Sequence, residues 1–124
     1  MIHPVERGSV HDDDRGRLVP VEFDGLPFQV RRAFVVMATS GAARRGGHRA
    51  DCVELMVLVS GTVTVTLTEA GGTPVDHALR RPGDRLLIEA HVMVDYVLET
   101  GGSSVLVLAD RPFGVRYDPS GEGE

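Results

Sequence analysis

Along this chain apolar and polar positions alternate with a period of two, and nowhere do they settle into the three-to-four spacing of an amphipathic helix. The clearest case is Thr62-Val63-Thr64-Val65-Thr66-Leu67-Thr68, a strict alternation of residues that suit a half-buried pleated strand. Less regular versions of the same pattern predict strands at Arg17 to Phe23, Arg32 to Ala38, Val53 to Ser60, Asp76 to Leu79, Arg85 to Glu89, Val92 to Glu99 and Ser104 to Ala109. Turn signals separate them at Gly25, Ser40-Gly41, Ser60-Gly61, Gly71-Gly72, Pro82-Gly83 and Gly101-Gly102. Short strands punctuated in this way, with no helix-length segment, predict an all-β fold, a small antiparallel jelly-roll barrel. The polar stretch 1–14 reads as an N-terminal arm, 15–116 as a single domain and 117–124 as a flexible tail.

Inward and outward positions alternate along every strand of such a barrel, so polar residues on the inward set need a reason, and the interior or its mouth is where a ligand would sit. Composition narrows the chemistry. All 13 basic residues are arginine, which removes Schiff-base catalysis, a pyridoxal-phosphate lysine and a lysine-bearing phosphate loop. A net charge of −5 argues against a nucleic-acid partner, because neutralising phosphates takes a basic face. A single cysteine, Cys52, can form neither an internal disulfide nor a cysteine-based zinc site, which fits a reducing compartment. The N-terminus lacks the apolar core of a signal peptide and every hydrophobic run is broken short of a membrane span. A cytoplasmic protein without membrane contact is the expectation.

The segment Arg44-Arg45-Gly46-Gly47-His48-Arg49-Ala50-Asp51-Cys52-Val53-Glu54, closed by Gly61, resembles the first cupin motif, with His48, Glu54 and Gly61 on its histidine, glutamate and glycine positions. Pro82-Gly83-Asp84 and the residues after it resemble the opening of the second motif. Asp14-Arg15-Gly16-Arg17-Leu18, Val21-Glu22-Phe23, Leu26-Pro27-Phe28, the RRGGH run and Val105 to Ala109 follow in the order seen in the WxcM-like cupins. That family includes the thymidine-diphosphate 4-keto-6-deoxyhexose 3,4-ketoisomerases. The resemblance implies the cupin barrel, a metal-free isomerase using two histidines to move a proton between neighbouring sugar carbons, and a homodimer in which an N-terminal strand, here Arg17 to Phe23, joins the neighbouring sheet.

Against the family pattern, Ala50 stands where the second histidine would be, Val94 where the last cupin histidine would be, and Ala33-Phe34-Val35-Val36 lacks the tyrosine of the corresponding strand. With two ligand positions apolar, His48 and Glu54 are too few for a cupin metal, and no metal or other cofactor is expected.

His48 remains as the acid-base candidate, since histidine titrates near neutrality; the alternative is a structural histidine hydrogen-bonded inside the barrel. Glu54 either orients and charge-stabilises that imidazole or pairs with an arginine. Tyr96 shares parity with Val92 and Val94 and so points inward, where its hydroxyl either replaces a missing acid or finds a structural partner. Arg15 and Arg45 are candidates for holding an anionic ligand, because a planar guanidinium matches phosphate in bidentate fashion. His91, in the turn before its strand, is grouped with them as substrate-binding. Asp95, His3, His11, His77, Arg80 and Arg81 read as solvated, and Cys52 as buried filler.

The function these residues imply is a metal-free, isomerase-like role in small-molecule biosynthesis. The substrate would be a keto-deoxysugar nucleotide, or a similar carbonyl-rich intermediate of natural-product biosynthesis, with His48 moving the proton. Two alternatives stay open: recruitment of the scaffold to cyclisation or isomerisation of a polyketide-like skeleton, which the apolar residues at positions 34, 50 and 94 favour, and a ligand-binding cupin without catalysis.

Overall fold

The structure, a computed structural model, describes residues 1–112; the end of the predicted domain, 113–116, and the predicted tail, 117–124, lie outside the described residues. Ten strands follow one another: β1 His11–Asp13, β2 Gly16–Leu18, β3 Arg32–Met37, β4 Ala43–Arg49, β5 Glu54–Ser60, β6 Val63–Thr68, β7 Val75–Leu79, β8 Arg85–Ile88, β9 Met93–Leu98 and β10 Ser104–Ala109. They form a β1-β2 hairpin and two four-stranded antiparallel sheets, β3-β10-β5-β8 and β4-β9-β6-β7. The two sheets face each other as a small cupin-type jelly roll. Among the described residues no helix is long and apolar enough to cross a membrane.

The alternation read from the sequence is the alternation of the core. In β6, Val63, Val65 and Leu67 are fully buried while the threonines between them are half-exposed. They meet Leu58, Leu86, Ile88, Leu98 and Val105 in the main core between the sheets. A second, smaller core lies on the outer face of the β3-β10-β5-β8 sheet. There Leu55, Val57 and Leu108 are covered by Val19, Val21, Leu26, Phe28 and Val30. The buried run Leu55-Met56-Val57-Leu58 therefore needs no alternation: β5 has apolar cover on both faces.

Three differences from the sequence reading have physical causes. The strand expected at Arg17 to Phe23 ends at Leu18, because Pro20 has no N–H to continue a ladder. The apolar alternation beyond it serves instead to pack Val19 and Val21 on the second core. The first residues lie along β8, with Ile2 bridged to Ile88 and Glu6 to Arg85, and His3 Nε2 is 2.7 Å from Glu89, so the stretch read as an arm covers the open edge of β8. His77, read as solvated, has the inward parity of Leu79 on β7 and is only 8% exposed.

Gly61 shows why the cupin motif closes on glycine. It turns β5 into β6 at φ +71°, and a Cβ there would come within 2.6 Å of the Ser103 Cα. Ser103 itself is fully buried, and its Oγ accepts hydrogen bonds from the N–H of Thr62 (3.2 Å) and of Thr100 (3.3 Å). Gly61 is thus pressed against the turn between β9 and β10. Gly71 has a similar φ, +73°, with nothing near its missing Cβ. Gly71→Ala should cost about 1–2 kcal/mol, the penalty for a left-handed non-glycine residue, and Gly61→Ala distinctly more. Urea unfolding of the two variants measures the difference, and equal losses would contradict the close approach.

Candidate functional site

A cavity of about 500 Å³ opens at one end of the barrel between the two sheets. From the β3-β10-β5-β8 sheet it receives the inward side chains of Arg32, Phe34, Glu54 and Met56; from the β4-β9-β6-β7 sheet it receives Arg45, His48, Val94 and Tyr96. Asp51 and Cys52, between β4 and β5, complete the rim.

The register explains how β4 delivers two side chains to one cavity. Arg45 stands opposite Tyr96 and Gly46 opposite Asp95, but the next pair is His48 with Val94, so Gly47 is an extra residue. Side chains of a strand alternate, and residues three apart would otherwise face opposite ways. The bulge resets the parity, so that Ala43 and Arg45 before it and His48 and Ala50 after it point to the same side. The backbone needed for this is left-handed at both glycines, φ +95° at Gly46 and +78° at Gly47, and a Cβ on Gly46 would lie 2.6 Å from the Val94 carbonyl oxygen. Only a glycine fits there. The polar, glycine-rich segment that carried no strand signal is therefore a strand, bent by its bulge toward the cavity.

On the facing wall Arg32 and Glu54 flank Ala109 in one row across β3, β10 and β5. Arg32 also lies over the Phe34 ring, 4.4 Å from its centroid, a cation–π contact that holds the guanidinium at the rim. Burial pushes the Glu54 carboxyl above its ordinary value, and the His48 imidazole and Arg32 guanidinium pull it back, while Asp51 and Asp110 add to the rise. Burial likewise raises the Tyr96 phenol, against the pull of the neighbouring Arg45. Cys52 is pushed up to about 11 by burial and by Glu54 and Asp110. It is a thiol at neutral pH, as expected of filler.

The structure brings together His48, Glu54, Tyr96 and Arg45. Tyr96 is inward beside Val94, as its parity predicts. Arg15 is not among them: it sits on the β1-β2 hairpin, 84% exposed and paired with Asp13 at 2.5 Å. His91 does not line the cavity either. It occupies the turn before β9 at φ +72°, donates its N–H to Ala50 O at 2.9 Å and offers its carbonyl to Arg49 at 2.9 Å. Sequence reasoning missed Arg32 and Asp51. Arg32 was legible as the first inward residue of the predicted strand through Phe34 and Val36, whereas Asp51 lies in a loop where parity gives no guide.

A cupin metal would draw on positions 50 and 94. Ala50 and Val94 are packed in the core, and among the described residues no group of three or more His, Cys, Asp or Glu is placed to hold an ion. The residues present do not fit such a metal. What the cavity offers is an imidazole and a carboxyl for proton transfer, a phenol and two guanidinium groups for an oxygen-rich or anionic ligand, and an apolar side along Phe34 and Val94.

Gly46→Ala should lower the unfolding midpoint more than Gly47→Ala, whose Cβ would meet only Asp95 Oδ1 at 3.6 Å. Both variants lose the glycine backbone preference, so thermal melts showing equal shifts would mean that the contact with the Val94 carbonyl carries no weight.

The model of the family described as WxcM-like, C-terminal (FdtA) matches residues 4–117. No curated protein matches the sequence. Among solved structures, the chain is similar to the 3,4-ketoisomerase QdtA from Thermoanaerobacterium thermosaccharolyticum in complex with TDP, with a TM-score of 0.74 and 22% identity over 97% of this chain and 87% of that one. It is similar also to the TDP-quinovose 3,4-ketoisomerase WlaRB from Campylobacter jejuni, at 0.73 and 24% over 94% and 87%. A 3,4-ketoisomerase from Helicobacter canadensis gives 0.73 and 23% over 94% and 85%. At these identities the likeness establishes a shared fold.

Proposed function

This chain belongs to the WxcM-like, C-terminal family, and from that membership we propose that it is a metal-free isomerase acting on a keto-deoxysugar carried by thymidine diphosphate, with His48 as the base. The observation that carries the proposal is the convergence of His48, Arg45 and Tyr96 from one sheet and Glu54 from the other on a single cavity of about 500 Å³, a size that suits a hexose ring. The solved relatives similar to it support the substrate class, since one holds TDP and another is a TDP-quinovose ketoisomerase.

In this reading the sugar's carbonyl enters between the sheets. His48, at the mouth, takes the proton from the carbon beside the carbonyl. The negative charge that develops on the carbonyl oxygen meets the Tyr96 hydroxyl and the Arg45 guanidinium, donors fixed in advance by the β4-β9 pairing. The diphosphate extends out of the mouth, where arginine is the phosphate-binding residue available.

His48→Ala should lower turnover by roughly 10²- to 10⁴-fold, the range for removing a positioned acid-base group, and change binding much less. The assay follows deuterium entry at C3 of a thymidine-diphosphate 4-keto-6-deoxyhexose in deuterated water. Exchange that survives His48→Ala would refute the assignment of the base. If the wild-type protein neither binds nor exchanges this substrate, the apolar wall along Phe34 and Val94 points to the polyketide-like class instead.

We infer further that the working unit is a homodimer. The β1-β2 hairpin is exposed along its whole length, Leu18 at its end and Phe23 beyond it are 57% and 56% exposed, and Val35 and Met37 on the outer side of β3 are 58% and 56% exposed. β3 is also an edge of its sheet, whereas the opposite edge, β8, is covered by the chain's own N-terminus. A second copy would cover these surfaces. Light scattering at micromolar concentration should give twice the mass of the chain; a monomer mass would refute this.

A further inference from the structure

The loss of the family's second histidine raises a question that the cavity itself answers. Moving a carbonyl from one sugar carbon to the next requires a proton to leave C3 and another to arrive at C4, and at position 50 there is only a buried alanine. We propose that Glu54 supplies the second transfer, delivering a proton to C4 from the face of the sugar ring opposite the one that His48 deprotonates. This rests on the isomerase reading above and adds to it the identity of the second group and the stereochemical course.

The geometry is that of two facing sheets. His48 projects from β4, paired with Val94 of β9; Glu54 projects from β5, between Ala109 of β10 and Ile88 of β8. Packed sheets stand roughly 10 Å apart, so a ring lying between them turns one face to the imidazole and the other to the carboxyl. Ala109 beside Glu54 is too small to cover it. The other acid-base groups of the cavity are less well placed or less well suited to deliver that proton: Asp51 is exposed on the loop at the rim and belongs to no strand of the wall facing His48. Cys52 is pushed up to about 11, and the Tyr96 phenol is raised by burial, so neither gives up its proton readily. The Glu54 carboxyl, raised by burial against the pull of His48 and Arg32, holds a proton more readily than a solvated glutamate, and a carboxyl gives one up more readily than a phenol or a thiol.

The proton balance closes. The C3–H bond breaks, its proton goes to neutral His48, and its electron pair forms the C3–C4 double bond as the carbonyl pair moves onto O4. The O3 proton passes to O4, directly or through the Tyr96 hydroxyl. The electron pair on O3 then forms the new carbonyl at C3, and the double-bond pair takes the Glu54 proton at C4. The imidazolium and carboxylate left behind are reset when the proton on His48 returns to Glu54 through water at the open mouth.

The test uses the whole protein and thymidine-diphosphate 4-keto-6-deoxyglucose in deuterated water, reading C3 exchange and ketone migration separately by NMR. In that sugar the C3 hydrogen is axial, so delivery from the opposite face leaves the new C4 hydroxyl equatorial, and delivery from the same face leaves it axial. The expected result is an equatorial C4 hydroxyl in the wild type. Glu54→Gln should keep C3 exchange within a few-fold while migration falls by roughly 10²-fold or more, and Glu54→Asp should recover part of the migration. Retained exchange also shows that the variant is folded. An axial product, or full migration in Glu54→Gln, overturns the proposal. So does a parallel fall of exchange and migration in both variants, since a residue that only positions His48 would produce that. Absence of both exchange and migration in the wild type overturns the isomerase reading itself.

Discussion

A strand shows only every second residue to one side of its sheet, and β4 must show the cavity both Arg45 and His48, which are three positions apart. The extra residue at Gly46-Gly47 reconciles the two demands. Without it the imidazole would turn toward solvent on the outer face, and Tyr96 would face only Arg45 across an otherwise apolar wall. The bulge depends in turn on a backbone approach that excludes any side chain on Gly46. The placement of the imidazole, and with it the chemistry open to the cavity, follows from that one close contact between Gly46 and the Val94 carbonyl.

The facing wall is governed by charge. Glu54 is half-buried, and an ionised carboxylate in such a place is costly unless cations lie near it. Arg32 and His48 approach it from two sides, and Asp51 and Asp110 oppose them. The balance leaves the carboxyl raised, which distinguishes it from the exposed, arginine-paired Asp12 and Asp13 of the hairpin, both held low by their partners. A carboxyl group is thus tuned in opposite directions by its place in the fold. Arg32 is itself fixed by the Phe34 ring, so this aromatic side chain supplies no hydroxyl but does position a charge.

Most strands were legible because their alternation records burial on one side only, β6 being the plainest case. β4 was not. Its outer face is solvated and its inner face lines a polar cavity, so neither side left an apolar trace, and the bulge broke the period that remained. The segment 17–23 misled for the opposite reason: Val19 and Val21 do alternate, but Pro20 bars a ladder and the pair packs flat against Leu55 and Leu108. Within the site, His48, Glu54, Arg45 and Tyr96 were readable from motif and parity. Arg15 and His91 were drawn from short sequence matches that carry no information about distance, and the fold sets them apart from the cavity. Arg32 was within reach of the same parity, standing two residues before Phe34 on the inward side of β3.

The apolar residues at positions 34, 50 and 94 are not scattered. Ala50 and Val94 pack into the main core, and Phe34 lies against the Arg32 guanidinium, at points where a polar side chain would need a partner. The polar groups of the cavity are those whose position is enforced: His48 and Arg45 by the bulge, Tyr96 by the β9 parity, Glu54 by the row it shares with Ala109 and Arg32. The bulge requires two left-handed glycines, one of which admits no side chain, and what that geometry secures is the orientation of His48 beside Arg45 on one wall of the cavity.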